Sequence, residues 1–123
     1  MNFAELRGGG GHWIEGYAPG RILIDGRSYQ EGLILSPERI ISGWGPSTPA
    51  KLTSEHVAEL MALAPQVILI GTGARQVLPP IEVLETALAR GVGIEIMDTG
   101  AACRTYNLLM AEGRKVAVGL MVD

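Results

Sequence analysis

"QVILIGTGARQVLPPIEVLETALARGVGIEIMDTGAACRTYNLLMAEGRKVAVGLMV", residues 66–122, decides the fold class. It opens on QVILIG, a continuous apolar and β-branched run of the kind found in strands covered on both faces. The loop TGARQVLPP follows. Pro80 suits a first helical position, where its missing N–H is no loss. Ile81, Leu84 and Leu88 recur at helical spacing and define one face, and Gly91 is a natural C-terminal stop. VGIEIM is a second strand. Asp98 or Thr99 then caps a further helix, with Ala102, Tyr106, Leu109 and Met110 on its apolar stripe and Gly113 at its end. RKVAVGLMV closes as a strand. A β-α-β-α-β order of this kind places neighbouring strands parallel, with right-handed crossovers.

Upstream of this block the texture is different. WIEGYA and RILID are short strand candidates separated by the turn pair Pro19-Gly20. Asp25-Gly26 is a two-residue hairpin signal, because both central positions of that turn need positive φ. SYQEGLILS and RIISGW continue the alternation, so an antiparallel meander is expected over residues 13–45. GPSTPAK (45–51) is a loop by composition. Thr53 reads as an N-cap with Glu55 in the first turn, and Val57, Leu60, Met61 and Ala64 share a face before Pro65 stops the helix. The expectation is therefore an α/β fold, with an N-terminal antiparallel meander, then the β-α-β-α-β unit, and sheets layered on helices. Residues 13–123 form a single domain behind a flexible lead at residues 1–12. Within that lead, Gly8 to Gly11 read first as a flexible run and second as an anion nest beside His12.

The totals narrow the function. The chain has 123 residues, 47% hydrophobic and 19% charged, which fits one globular domain and excludes a disordered chain. Net charge is −3 and only 5% of residues are aromatic. Nucleic-acid binding needs clustered Lys and Arg, with rings for single strands, and neither is present. Apolar runs reach about five residues, far short of the roughly 20 that span a bilayer. The start, MNFAELRGGGGHW, has no cationic head followed by an apolar run, so no signal peptide is expected. Cys103 is the single cysteine. This fits a reducing cytoplasm and leaves neither a disulfide nor a cysteine-based zinc cluster. Two scattered histidines supply no metal-ligand spacing, and no cofactor is expected.

Two stretches carry candidate chemistry. GTGAR, Gly71 to Arg75, follows a buried strand and invites comparison with a dinucleotide fingerprint. Gln76 stands at the third glycine position, the helix begins late, and Glu95 and Asp98 lie beyond the expected acidic position. The plainer reading is a tight loop in which glycine permits positive φ and close packing. The second stretch is MDTGAACRTYN. If the loops after residues 66–71 and 93–97 leave one edge of a parallel sheet, two helix N-termini converge there, and their unpaired amides favour an anion. Arg75 and Arg104 could reach that point. A phosphate or carboxylate is then expected near Gly71, Thr72, Gly73, Arg75, Asp98, Thr99, Cys103 and Arg104. Cys103 could be activated by the helix dipole and Arg104, but no local histidine offers a base, and a buried inert thiol is the commoner case. Asp98 reads as a cap rather than a general base. Tyr106 is read as core. Asn107 and Thr105 are expected on the other side of that helix, bonding to loops. No catalytic residue is assigned, and the balance points away from an enzyme.

The combination ILIGTG with PPIEVLETALARGVGIEIMDTGAACRTYNLLMAEGRKVAV resembles one known family. It is the small domain shared by the mitochondrial NADH dehydrogenase alpha-subcomplex assembly factor three, the adipogenesis-associated protein of animals, and uncharacterised bacterial and archaeal proteins. The likeness covers residues 13–122 and is sharpest from Glu95 to Val116. DGRSYQEGLILSP and SGW add a weaker match. The resemblance implies a compact α/β domain and, from its mitochondrial members, assembly work with partner proteins during respiratory complex I construction. It implies no catalytic set. The mitochondrial targeting extension is missing here, which favours a prokaryotic or cytosolic setting. The expectation is a non-enzymatic binding or assembly-assisting domain with a protein partner or a second copy. The alternative is a small-molecule enzyme or sensor that holds an anion between the GTG loop and MDTGAACRTYN.

Overall fold

The computed structural model describes residues 10–123. Most of the expected lead, including Gly8 and Gly9, falls outside the described residues. His12 is well held. Its N–H donates to the Pro37 carbonyl at 2.9 Å, and its own carbonyl accepts from the Tyr106 hydroxyl at 2.8 Å.

Strands β1 (Ile14–Ala18), β2 (Arg21–Ile24) and β3 (Arg27–Tyr29) make a small antiparallel sheet. The β2–β3 turn is the one the sequence demands. Asp25 has φ 49 and Gly26 φ 82, both in the left-handed region. The meander is then divided. β4 (Leu33–Leu35) leaves the small sheet and, with β5 (Ile40–Ser42), joins a second sheet of order β5-β4-β8-β6-β7. Gly32 makes the departure sterically workable. A Cβ there would stand 2.1 Å from the Trp44 carbonyl oxygen, and the Gly32 carbonyl accepts from Trp44 N–H at 2.9 Å.

In the second sheet β6 (Val67–Thr72), β7 (Gly93–Met97) and β8 (Val116–Met121) are parallel, with β6 between the other two, and β4 pairs antiparallel with β8. Both β6 and β8 are buried at every residue. Their period-2 alternation divides the interior into two cores. Val67, Leu69, Val116, Val118 and Leu120 face helix α3 (Thr99–Ala111) and the small sheet. Ile68, Ile70 and Ala117 face α1 (Ser54–Met61), α2 (Ile81–Ala89) and Trp44.

Side-chain size sets how closely these layers approach. A Cβ on Gly119 would lie 2.5 Å from the Trp44 ring, so the indole lies flush on β8 at that point. A Cβ on Gly71 would lie 2.9 Å from Thr99 Cα and 3.1 Å from Ala102 Cβ. The first turn of α3 is therefore pressed onto β6 where β6 has no side chain.

Three local expectations need correction. The inward face of α2 is Val83 and Ala87, with Leu84 half-buried, while Ile81 and Leu88 are exposed. The helix holds two overlapping apolar stripes, and the better match to Ile68 and Ile70 is the one of smaller residues. Ala64 does not extend the α1 face, because the helix ends at Met61 and Ala64 adopts φ 54 in a tight exit turn. Asn107 is wholly buried rather than aimed at loops. Its Oδ1 accepts from Ile14 N–H at 3.1 Å and its Nδ2 donates to the Ile14 carbonyl at 2.8 Å. The amide reads the edge of β1 as a neighbouring strand would.

The close approach at Gly71 can be measured. Gly71→Ala forces the α3 backbone off β6 and is expected to lower stability by about 1–3 kcal/mol, the usual range for overpacking. Urea unfolding of the two proteins reads this out as a lower midpoint at unchanged slope.

Candidate functional site

The site expected from the sequence lies at the carboxyl ends of the parallel strands, where the β6 and β7 loops do emerge side by side. Thr99 N–H donates to the Gly73 carbonyl at 2.9 Å. The Thr99 hydroxyl accepts from Gly73 N–H at 2.7 Å and donates to the Met121 carbonyl at 2.7 Å. One buried oxygen thus ties the ends of β6 and β8 to the start of α3. Thr72 closes the GTG loop on itself. Its hydroxyl accepts from Val77 N–H at 3.1 Å and lies 2.5 Å from the Arg75 carbonyl and 3.2 Å from that of Met97. Gly73 supplies the left-handed turn at φ 91.

Among the amides expected to hold an anion, those of Gly73, Ala74, Thr99 and Ala101 have partners within the chain. The Asp98 carboxylate caps α3, accepting from Ala101 N–H at 2.8 Å. The Asp123 carboxylate covers the GTG loop. It accepts from Ala74 N–H at 3.2 Å, and a Cβ on Gly73 would stand 2.7 Å from it. At the Ala74 and Ala101 amides, the acceptor is thus a carboxylate of the chain itself. Asp123 was not among the residues singled out in the sequence, and nothing in its local pattern marks it. Its role depends on the β8 register that carries it to the loop.

The expected residues therefore divide into groups. Gly71, Thr72, Gly73 and Thr99 come together in a buried hydrogen-bonded junction, with Asp98 capping the helix beside it. Arg75 is exposed on the loop. Arg104 is exposed one turn along α3, its Nη1 and the Tyr17 ring both lying over Gly100. An open cleft of about 440 Å³ adjoins the junction on its far side, lined by Thr72, Gly73, Trp44, Ser47, Glu31 and Asp123 among others. Arg75, Asp98, Thr99 and Arg104 do not line it, and among its described lining residues the charged groups are carboxylates. A second cleft of about 520 Å³ opens at the opposite end of the sheet, between Pro37, Pro65, Met110 and Lys115.

Cys103 cannot belong to a solvent-facing wall. It is wholly buried on the inner face of α3, packed in the core with Ala102 and Tyr106. Burial pushes its thiol pKa up to about 12 from an ordinary value of 9.0. The Arg104 guanidinium pulls the other way without overcoming the loss of water, and Asp98 adds to the rise. Tyr106 is raised too, chiefly by burial. Tyr17 is raised by partial burial and by the negative charge of Asp123. Among the described residues no group of three or more His, Cys, Asp or Glu side chains has a metal-holding arrangement. The His12 ring and the Asp25 carboxylate lie 2.6 Å apart, half-exposed beside the β2–β3 turn. His56, one of the two histidines set aside as a metal ligand or base, completes the α1 cap, its Nδ1 accepting from Thr53 N–H at 2.9 Å.

With this geometry in view, comparison with known proteins becomes informative. A family profile described as a protein of unknown function, DUF498/DUF598, matches residues 14–121. The chain belongs to this family. The crystal structure of a Bordetella parapertussis protein superimposes with a TM-score of 0.88 at 39% identity, covering 95% of this chain and 100% of that one. The "13 kDa major membrane protein" of Francisella tularensis is 33% identical over 102 residues, 82% of this chain and 83% of its own length. The zebrafish (Danio rerio) NADH dehydrogenase [ubiquinone] 1 alpha subcomplex assembly factor 3 is 30% identical over 123 residues, 98% of this chain and 70% of its own length. The DUF498/DUF598 domain thus occurs in proteins with quite different names. No helix among the described residues is long and apolar enough to cross a membrane.

The thiol of this family member gives a direct test. With its folded pKa raised above the unfolded value, Cys103 favours the folded state fully below pH 9, and that contribution is lost as pH rises from 9 toward 12. A disulfide reagent at neutral pH is expected to label Cys103 only as fast as the chain unfolds, and Cys103→Ala should flatten the alkaline fall in stability. Fast labelling of the native protein would show that the thiol reaches solvent.

Proposed function

We propose that this chain is a non-enzymatic, assembly-assisting domain that works by binding a protein partner. The observation that carries this reading is the match over 98% of the chain to a protein named as a respiratory complex I assembly factor. Support also comes from the junction itself. Its hydroxyls and amides are engaged with one another, and the neighbouring Cys103 thiol is buried. In this reading residues 13–123 act as one domain and the setting is the cytoplasm. Covalent cross-linking of the tagged full chain in its native host, followed by identification of what is joined to it, tests the proposal. The expected result is a defined partner in stoichiometric yield. A chain that stays monomeric and joins nothing reproducibly would overturn it.

A second reading has one observation in its favour: the GTG loop already receives a carboxylate, that of Asp123 at Ala74 N–H. A small phosphate or carboxylate ligand would take that place, with Arg75 or Arg104 as counter-charge. The test is thermal shift against phosphate, nucleotides and carboxylates, in the native chain and in Asp123→Asn. A real ligand raises stability by about 2.7 kcal/mol at a hundredfold excess over its dissociation constant. The gain should be larger in Asp123→Asn and fall in Arg104→Ala. Shifts indifferent to both substitutions would remove this reading.

A further inference from the structure

The helical layer on the far side of the large sheet carries an apolar stripe that the fold leaves open. Leu78 is 70% exposed, Ile81 59% and Leu88 52%. Ile81 and Leu88 stand two turns apart on α2, with half-buried Leu84 between them on the same face. Val83 and Ala87 face the core, and this is why the stripe points outward. Single exposed leucines are ordinary on a protein surface, but a row of large aliphatic side chains along one helix marks an interaction surface.

Charge identifies what would cover it. Glu55 and Glu59 on α1 and Glu82 and Glu85 on α2 are all exposed, and the helices themselves contain no lysine or arginine, the nearest in sequence being exposed Lys51 before α1 and exposed Arg90 at the end of α2. Glu85 lies four residues after Ile81 and three before Leu88, so it borders the stripe directly. A second copy docked in the antiparallel sense would bring the Glu85 side chains of the two chains toward each other at the centre, which is repulsive in a desolvated contact. An anionic membrane surface would be repelled in the same way. A helix with its own aliphatic row and basic flanks matches both the shape and the sign.

We propose that the outer face of α2, with Ile81, Leu84 and Leu88 as its floor and Glu82 and Glu85 beside it, docks a basic amphipathic helix of a protein partner. This rests on the partner-binding reading above and names the surface that reading needs. The probe is a pair of synthetic helices that share one leucine face, one flanked by lysines and the other by glutamates. Each is titrated into the full chain and followed by backbone amide shifts. The lysine helix is expected to bind with shifts centred on α2, to weaken as salt rises, and to exceed the glutamate helix by roughly tenfold or more. Ile81→Ser with Leu88→Ser, both at exposed positions, should weaken the lysine helix by a similar factor. Glu82→Lys with Glu85→Lys should invert the preference between the two helices. Equal binding of both helices, or binding untouched by the serine variant, would overturn the proposal. Self-association or adsorption to anionic vesicles that the serine variant abolishes would overturn it as well, in favour of those occupants. A native partner that cross-links equally well to wild type and to both variants would sink this surface and leave the partner-binding reading standing. Absence of any partner for the wild type would sink that reading instead.

Discussion

The hydroxyl of Thr99 is the constraint on which the rest of the fold depends. It sits without solvent exposure between an amide at the end of β6 and a carbonyl at the end of β8, and its own residue begins α3. Each such hydrogen bond contributes only about 1 kcal/mol net, but a buried polar group left without its partner costs about 1–3 kcal/mol. The arrangement is therefore enforced more by the penalty for breaking it than by the gain in making it. Gly71 is the steric half of the same constraint, since only a residue without a side chain lets Thr99 come close enough. The GTG motif is thus explained by packing. Its first glycine admits α3, its threonine ties the loop to β7 through the Met97 carbonyl, and its second glycine makes the turn.

Much of this was legible in the chain. QVILIG read as a doubly covered strand and RKVAVGLMV as a closing strand; both are strands, and both are buried at every residue. The Asp25-Gly26 turn, the Asp98 cap and the Gly91 and Gly113 stops follow from backbone chemistry that is local and therefore visible. What escaped is non-local. That β4 would desert the small sheet depends on Gly32 meeting Trp44, twelve positions away. That Asn107 would face inward depends on an edge of β1 arriving from the other end of the chain. The face of α2 was misjudged because six apolar residues in nine leave the period ambiguous, and the sheet beneath makes the choice. For the candidate site, the convergence of the two loops was readable from parallel topology. Their occupation by Asp98 and Asp123 was only half readable, since a cap is a local feature and a chain-distant carboxylate is not.

The two faces of the large sheet therefore differ in character. Toward α3 and the small sheet, polar groups are matched inside the protein, among them Asn107, Tyr106 and Thr99. Toward solvent, the α1–α2 layer exposes Ile81 and Leu88 beside four glutamates. In the partner-binding reading proposed above, this asymmetry separates the surface that maintains the fold from the surface that would receive a partner.

The small sheet is joined to the large one without any strand pairing between them. What holds it is the Asn107 amide on Ile14, the Tyr106 hydroxyl on His12, one backbone bond from His12 to Pro37, and the apolar contact of Ile14, Ile22 and Ile24 with α3. A hairpin fixed by side chains and oily contact, with no shared ladder, behaves like a cover plate on a chassis. It can lift in one motion while the five-stranded sheet behind it keeps its pairing, so the amide protons of β1 to β3 should form an exchange unit of their own, less protected than those of β6 and β8.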